Sequence, residues 1–167
     1  MLLAALKLMK ERYAFDGELV LTGVAMQSHG EVLRERQRLG LEDVVRVLGS
    51  VPYADLPGLY NLARMMIFPS LFEGFGIPLV EAMACGCPIA CSDVTSIPEV
   101  VDDAGVFFVP TSAEDIAEKS WRLWTDESLR REKFAVGRER ASVLTWQRTA
   151  QETIRVYSKA LGQKGGD

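Results

Sequence analysis

Two carboxylates, Glu73 and Glu81, enclose seven uncharged residues that include two glycines and one proline. An ionised carboxylate only accepts hydrogen bonds, which suits it to the paired hydroxyls of a sugar or a ribose. Glycines at positions 74 and 76 let the backbone approach a ligand closely. The alternative is that Glu73 is solvated and that Glu81 only complements a helix dipole. The two residues alone do not decide between these interpretations.

This segment lies between a predicted strand and a predicted helix. The apolar run MMIFPS (Met65–Ser70) is typical of a buried strand, and Pro78 suits the first turn of a helix, where a missing N–H is not needed. Residues 71–77 are therefore predicted to form a loop at the carboxyl edge of a parallel sheet, where open α/β folds bind ligands. Free N–H groups of Ile77 and Leu79 at the helix start would favour an anion.

The rest of the chain predicts the elements that position this loop. Short apolar runs alternate with helical patterns, which favours βαβ units and an α/β fold with a doubly wound parallel sheet. The four further predicted strands are Glu18–Gly23, Val44–Gly49, Pro88–Ser92 and Gly105–Pro110. Helices are predicted at about 28–39, 56–63 and 78–85. Residues 1–110 thus form the α/β core, and residues 111–167 are predicted as helices that complete the same domain.

The helical part begins at Ser112, which is expected to cap a helix together with Asp115. Two more helices are predicted at about 127–143 and 146–161. The last one repeats apolar residues at helical spacing, from Ala150 to Leu161. We interpret this stripe as core rather than as an interaction face.

Composition and charge exclude several classes of protein. The length of 167 residues and the 48% hydrophobic content fit one globular domain without a membrane span, and the first 15 residues are typical of an amphipathic helix rather than a signal peptide. A net charge of −4 argues against a nucleic-acid partner. Cys85, Cys87 and Cys91 suit a reducing, cytoplasmic location. No fourth Cys or nearby His completes a metal site, so none is expected.

The segment FPSLFEGFGIPLVEAMACGCPIACSDVTSIPEVV, residues 68–101, resembles the donor-binding signature of retaining GT-B glycosyltransferases of the family-4 type, the glycosyl transferases of group 1. VRVLGSVPYADLPGLYNLARMMIFPS before it and LTWQRTAQETIRVYSKAL near the end resemble the same family. The likeness covers nearly the whole chain. It identifies residues 1–110 as a nucleotide-sugar-binding core, the Rossmann-like C-terminal domain of such an enzyme.

The resemblance implies a role for each residue of the loop. Glu73 takes the catalytic position and contacts the hydroxyls of the donor sugar, and Glu81 holds the ribose diol. Val51 and Pro52 flank the nucleobase. Backbone amides for the sugar and the diphosphate come from Gly74, Phe75, Gly76, Ile77 and Leu79. The family transfers a hexose from a nucleoside diphosphate sugar to an acceptor hydroxyl with retention, without a metal or another cofactor, and the diphosphate accepts the acceptor proton.

This chain also departs from the family pattern. Relatives carry an N-terminal acceptor domain, a first strand in this sheet, and an Arg and a Lys that neutralise the diphosphate. Between Arg64 and Lys119 there is no Lys or Arg. We therefore expect no useful sugar transfer by this chain alone, because a leaving diphosphate needs a positive charge opposite it.

The missing pieces also predict partners. An absent central strand leaves unpaired sheet edges, so we expect self-association or a partner that supplies a strand. The acceptor domain would be a further partner and could hold the protein at the inner face of a membrane. Two other functions stay open: a non-catalytic module that binds nucleotide sugars, and a flavodoxin-like interaction module.

Overall fold

The computed structural model describes residues 1–23 and 29–162. Within these ranges the chain alternates helices and strands in the order expected for an α/β fold. The strands are β1 Leu19–Thr22, β2 Val45–Gly49, β3 Met66–Phe68, β4 Ile89–Ser92 and β5 Gly105–Phe108. The helices are α1 Leu2–Tyr13, α2 His29–Arg38, α3 Leu56–Leu62, α4 Ile77–Ala84, α5 Ile97–Val101, α6 Ala113–Thr125, α7 Glu127–Val143 and α8 Trp146–Ala160. Each of the five predicted strands is confirmed.

The described strands form two parallel sheets. One pairs β1 with β2, with Leu19 opposite Val45. The other has the order β3-β4-β5, in which Ile89 of β4 lies opposite both Met66 and Gly105. The sequence predicted a single sheet without its first strand. Instead, within the described ranges, no strand joins β1–β2 to β3–β4–β5.

Helices cover both faces of the three-stranded sheet. Successive side chains of a strand point to opposite faces, and β4 has apolar side chains on each face. Ile89 and Cys91 of β4 pack against α4, α5 and α7. Ala90, between them, packs against α1 and α6 on the other face. All four residues of β4 are buried, so β4 is the centre of this layered core. The predicted α/β class is confirmed.

Helix α1 belongs to two cores at once. Its Ala5 and Met9 pack against α6 and the β3–β4–β5 sheet, and Leu6 packs against the β1–β2 sheet. Tyr13 of α1 stacks on Trp121 of α6, with their ring centroids 5.3 Å apart. The first helix therefore bridges the two sheets.

The C-terminal helices differ in how far they are buried. Ser112 accepts a hydrogen bond from the Asp115 N–H at 3.1 Å, which confirms the predicted cap of α6. Both α6 and α7 bury apolar residues in the core. In contrast, α8 buries no residue, and Ile154 and Tyr157 are 63% and 65% exposed. The prediction that its apolar stripe belongs to the core is wrong, because the described part of the chain places nothing over that face.

Within the ranges that the structure describes, no helix has the length and apolar character needed to cross a lipid bilayer.

Candidate functional site

The loop between β3 and α4 carries Glu73, and hydroxyl groups hold it in place. Ser70 Oγ donates to Glu73 Oε1 at 2.9 Å. The Glu73 N–H donates to Thr95 Oγ1 at 3.2 Å, and Ser96 Oγ donates to the Glu73 carbonyl at 3.0 Å. Thr95 and Ser96 follow β4, so residues after two neighbouring strands hold the half-buried Glu73, Ser70 through the side chain and Thr95 and Ser96 through the backbone.

The turn that carries Thr95 has a strained backbone. Thr95 adopts a φ of +55°, which is rare for a β-branched residue and costs about 1–3 kcal/mol. Its own hydroxyl donates to the Val94 carbonyl at 2.8 Å, and the same oxygen accepts from the Glu73 N–H. The turn is thereby tied to the loop that it supports. Strain of this kind is concentrated at functional sites.

Gly76 sets the direction in which α4 begins. It is the residue before the helix and has a φ of +88°, a conformation that favours glycine. A Cβ at this position would lie 2.8 Å from Leu79 Cδ1, and Leu79 is fully buried. The turn directs the first backbone N–H groups of α4, beginning with Ile77, toward the carboxyl edge.

One expectation about this helix start is wrong. The Leu79 N–H donates to the Gly76 carbonyl at 2.9 Å, so it is not free for an anion. The tight turn at Gly76 brings that carbonyl within reach. For the Ile77 N–H, no hydrogen bond is found within the described part of the chain. Ile77 and the exposed loop residues Gly74 and Phe75 remain candidates for the backbone contacts that the sequence predicted.

Glu81 lies one turn inside α4, and both oxygens of its carboxylate accept tyrosine hydroxyls. Tyr53 donates to Oε1 at 2.9 Å, and Tyr60 donates to Oε2 at 3.3 Å. The hydrogen bond and the charge of Glu81 raise the pKa of Tyr53. Burial, and then the same charge, raise the pKa of Tyr60. Both phenols therefore stay protonated and donate to the carboxylate at neutral pH.

The third part of the site is the turn after β2. Gly49, with a φ of +71°, ends β2, and Val51 and Pro52 follow it. Val51 is half-buried and Pro52 is exposed. Because Tyr53 comes next and reaches Glu81, this turn lies beside α4. Residues that follow β2, β3 and β4 therefore all contribute to the contacts around the two acids, as expected for a ligand site in this class of fold.

The charge of this surface is negative. Among the ion pairs found between described residues, none involves Glu73 or Glu81. Their neighbours are neutral hydroxyls, which hold a carboxylate without neutralising it. A ligand that presents hydroxyls to both acids would use that remaining acceptor capacity.

Residues that hold the two acids were missed in the sequence. Ser70, Thr95 and Ser96 hold the Glu73 loop, and Tyr53 and Tyr60 hold Glu81. A signal was present for part of this set, because a residue that follows a parallel strand lies at the same edge as the Glu73 loop. Tyr53, in the turn after β2, shares this signal, whereas Tyr60 in α3 carried none.

Cavities of about 540 and 420 Å³ lie at the opposite, amino edge of the three-stranded sheet. Both are lined in part by Arg64, whose guanidinium lies 4.8 Å from the centre of the Trp124 ring. They are remote from Glu73, which follows the other end of β3. Within the described ranges, no three His, Cys, Asp or Glu side chains are grouped so as to hold a metal ion.

Comparison with known proteins bears on this geometry. The family model for glycosyl transferases group 1 matches residues 1–139. The chain is 43% identical over 116 residues to the O-antigen chain mannosyltransferase B of Escherichia coli, which covers 70% of this chain and 30% of that protein. It is 33% identical over 152 residues to the MMP alpha-(1->4)-mannosyltransferase of Mycolicibacterium hassiacum. This match covers 89% of this chain and 37% of that protein. The chain thus spans about a third of the length of these relatives.

Solved structures share its fold. Sucrose-phosphate synthase from Thermosynechococcus elongatus superposes with a TM-score of 0.83 at 24% identity, over 96% of this chain and 42% of that one. The Anabaena protein HepE, solved in complex with UDP, superposes with a TM-score of 0.77 at 24% identity, over 93% of this chain and 44% of that one. At this identity the superpositions establish the fold alone, the Rossmann-like C-terminal domain of the GT-B class. Together with the family match, they show that the chain belongs to the group 1 glycosyltransferases.

Proposed function

We propose that this chain is the donor-binding part of a retaining glycosyltransferase, which moves a hexose from a nucleoside diphosphate sugar to an acceptor hydroxyl. The observation that carries the proposal is the placement of Glu73 and Glu81 on either side of the Gly76 turn, with uncharged hydroxyls as their partners. Two relatives are named mannosyltransferases, so a mannosyl donor is the first hexose to test.

In this proposal each part of the donor contacts one part of the surface. Glu81 accepts hydrogen bonds from the ribose diol, and Glu73 accepts them from the hexose hydroxyls. The diphosphate lies between them, against the N–H groups of Gly74 to Ile77, where a helix start favours negative charge. Val51 and Pro52 flank the nucleobase beside Tyr53.

The reaction that we propose breaks the bond between the anomeric carbon and the phosphate oxygen. The acceptor oxygen forms the new bond on the same face of the sugar, which retains the anomeric configuration. The acceptor proton moves to the departing phosphate oxygen. Glu73 positions the hexose in this scheme and forms no covalent bond to it.

A positive charge opposite the leaving diphosphate stabilises the transition state. Because residues 65–118 contain no Lys or Arg, we infer that this charge comes from another part of the protein. We propose that neither a metal ion nor another cofactor is needed, so EDTA should leave donor binding unchanged. This chain alone should then bind the donor but not transfer its sugar at a useful rate.

We also propose that an acceptor-binding domain occupies the part of the protein beyond this region. The relatives are about three times as long as the matched segment. Among residues 1–23 and 29–162, none covers the apolar face of α8 or pairs with the outer edges of the two sheets, and these are the surfaces that such a domain or a second copy would cover. The free thiols Cys85, Cys87 and Cys91 favour the reducing cytoplasm.

The test is ligand-observed NMR with UDP, GDP and ADP, each free and linked to mannose or glucose. We expect one nucleotide to bind selectively and Glu81→Ala to abolish that binding. Glu73→Ala should weaken the sugar-linked form while leaving the free nucleotide unchanged. Glu114→Ala, at an exposed position on α6, is the matched control and should bind as the parent chain does.

The results also separate the alternatives. Binding without turnover, even when the remaining domain is supplied, would identify a non-catalytic nucleotide-sugar module. Absence of binding by any nucleotide would contradict the proposal and favour a flavodoxin-like interaction module. If the product of the complete enzyme had the opposite anomeric configuration, the retaining mechanism would be wrong.

A further inference from the structure

The carboxylate of Glu81 already holds two hydroxyl groups. The Tyr53 hydroxyl lies 2.9 Å from Oε1, and the Tyr60 hydroxyl lies 3.3 Å from Oε2. One carboxylate that accepts two O–H donors, one on each oxygen, is also the arrangement expected for a bound vicinal diol. Each oxygen has a second lone pair, but a ligand diol that takes up this same bidentate arrangement must occupy the positions that the tyrosine hydroxyls fill.

The two tyrosines differ in how firmly they are held. Tyr60 lies in α3 and is half-buried against the core that contains α4. Tyr53 lies in the short 3-10 turn Tyr53–Asp55 and is 75% exposed. Moving the Tyr53 side chain away from Glu81 exposes little apolar surface, whereas moving the Tyr60 side chain would disturb its packing against the core. Tyr53 is thus the residue that can leave.

We propose that Tyr53 takes the place of a ligand hydroxyl on Glu81 in the free chain, and that it swings away when a nucleoside diphosphate with an intact ribose diol binds. Tyr60 stays in place and is a positioning residue for the Glu81 carboxylate. This inference rests on the proposed function, because it takes Glu81 as the ribose-binding acid.

The proposal makes Tyr53 a determinant of affinity. When the binding-competent form is only a fraction of the population, the apparent affinity falls by that fraction. If about one chain in six has Tyr53 away from Glu81, the affinity is lowered about sixfold. The loss applies only to ligands whose hydroxyls must displace Tyr53.

The experiment compares Tyr53→Phe with the parent chain, using UDP, GDP and ADP and the 2′,3′-dideoxy form of each. Phenylalanine keeps the ring but removes the competing hydroxyl. We expect Tyr53→Phe to bind the ribonucleotide about sixfold more tightly. The dideoxy form should bind equally to both proteins, because it has no hydroxyls with which to displace Tyr53.

Tyr60→Phe is the matched control on the other oxygen. It should not tighten binding, because it removes the group that orients Glu81. In the Glu81→Gln background, Tyr53→Phe should have no effect on affinity. Urea unfolding of each variant verifies that the fold is kept, and we expect Tyr53→Phe to match the parent because its side chain is exposed.

The inference would be overturned if Tyr53→Phe shifted the ribonucleotide and the dideoxy form equally, or weakened the ribonucleotide. If the ribonucleotide bound more tightly than its dideoxy form, but with the same affinity to the parent and to Tyr53→Phe, the role of Tyr53 would be refuted while the donor site would be supported. If neither the parent nor Tyr53→Phe bound any nucleotide, the proposed function and this inference would both fail. Binding by Tyr53→Phe alone would be the strongest result in favour.

Discussion

Substituting Gly76 with alanine tests whether the backbone turn before α4 needs glycine. The residue has a φ of +88° and a ψ of 53°, and an L-residue in this left-handed region costs about 1–2 kcal/mol. The new Cβ would also lie 2.8 Å from Leu79 Cδ1. Leu79 is fully buried in the core, so it cannot rotate away freely, and such overpacking costs about 1–3 kcal/mol.

These two contributions together predict that Gly76→Ala lowers the free energy of unfolding by about 2–5 kcal/mol. That is a large fraction of the stability of about 5–15 kcal/mol typical of a domain. Equilibrium unfolding in urea measures the change, which should appear as a lower midpoint with an unchanged slope.

The matched control is Gly74→Ala, two residues earlier in the same loop. A Cβ at Gly74 would meet no atom within 4 Å, and Gly74 is not among the glycines of positive φ. This variant should stay within about 0.5 kcal/mol of the parent, or gain slightly from a less flexible unfolded chain. Equal unfolding midpoints for the two variants would refute the argument, as would greater damage from Gly74→Ala.

Three further predictions concern the thiols and the last helix. Burial raises the pKa of Cys87 and of Cys91 to about 12. A thiol reagent at about pH 8 should therefore modify the half-buried Cys85 first. Rapid modification of two thiols would contradict the structure. Because these two pKa values are raised in the folded state, their contribution to stability is present below the unfolded value of about 8.5 and should be lost as pH rises toward 12. Deleting residues 145–167 should leave the urea midpoint of the remainder nearly unchanged, since α8 buries no residue. A loss comparable to that expected for Gly76→Ala would show that α8 is part of the core.

Much of the fold was predictable because local patterns decide it. Five strands and the helices between them follow from short apolar runs, helical spacing and turn residues, and Ser112 caps α6 as its spacing with Asp115 indicates. The α8 stripe shows the limit of this reasoning. A periodic apolar face predicts that something covers it, but periodicity does not say whether the same chain supplies the cover.

The candidate site was predictable only in part, for a similar reason. The acids and the glycine turn are close in sequence, so their spacing was informative. The groups that hold them come from other strand ends, and Thr95 is 22 residues from Glu73. Tyr53 is 28 residues from Glu81. Which side chains meet across such distances depends on the angles between packed elements, and those angles are not encoded in any local pattern.

The bridging position of α1 has a consequence for how the chain folds. Its partners in α6 are distant in sequence, since Trp124 at the end of α6 donates to Asp16 just after α1 across 108 residues. Contacts of such high sequence separation require the closure of a long loop before they contribute. During synthesis α1 must therefore wait, with its apolar side exposed, until α6 has been made. Refolding should accordingly be limited by this late closure, and a chaperone would find α1 accessible during the interval between the synthesis of α1 and that of α6.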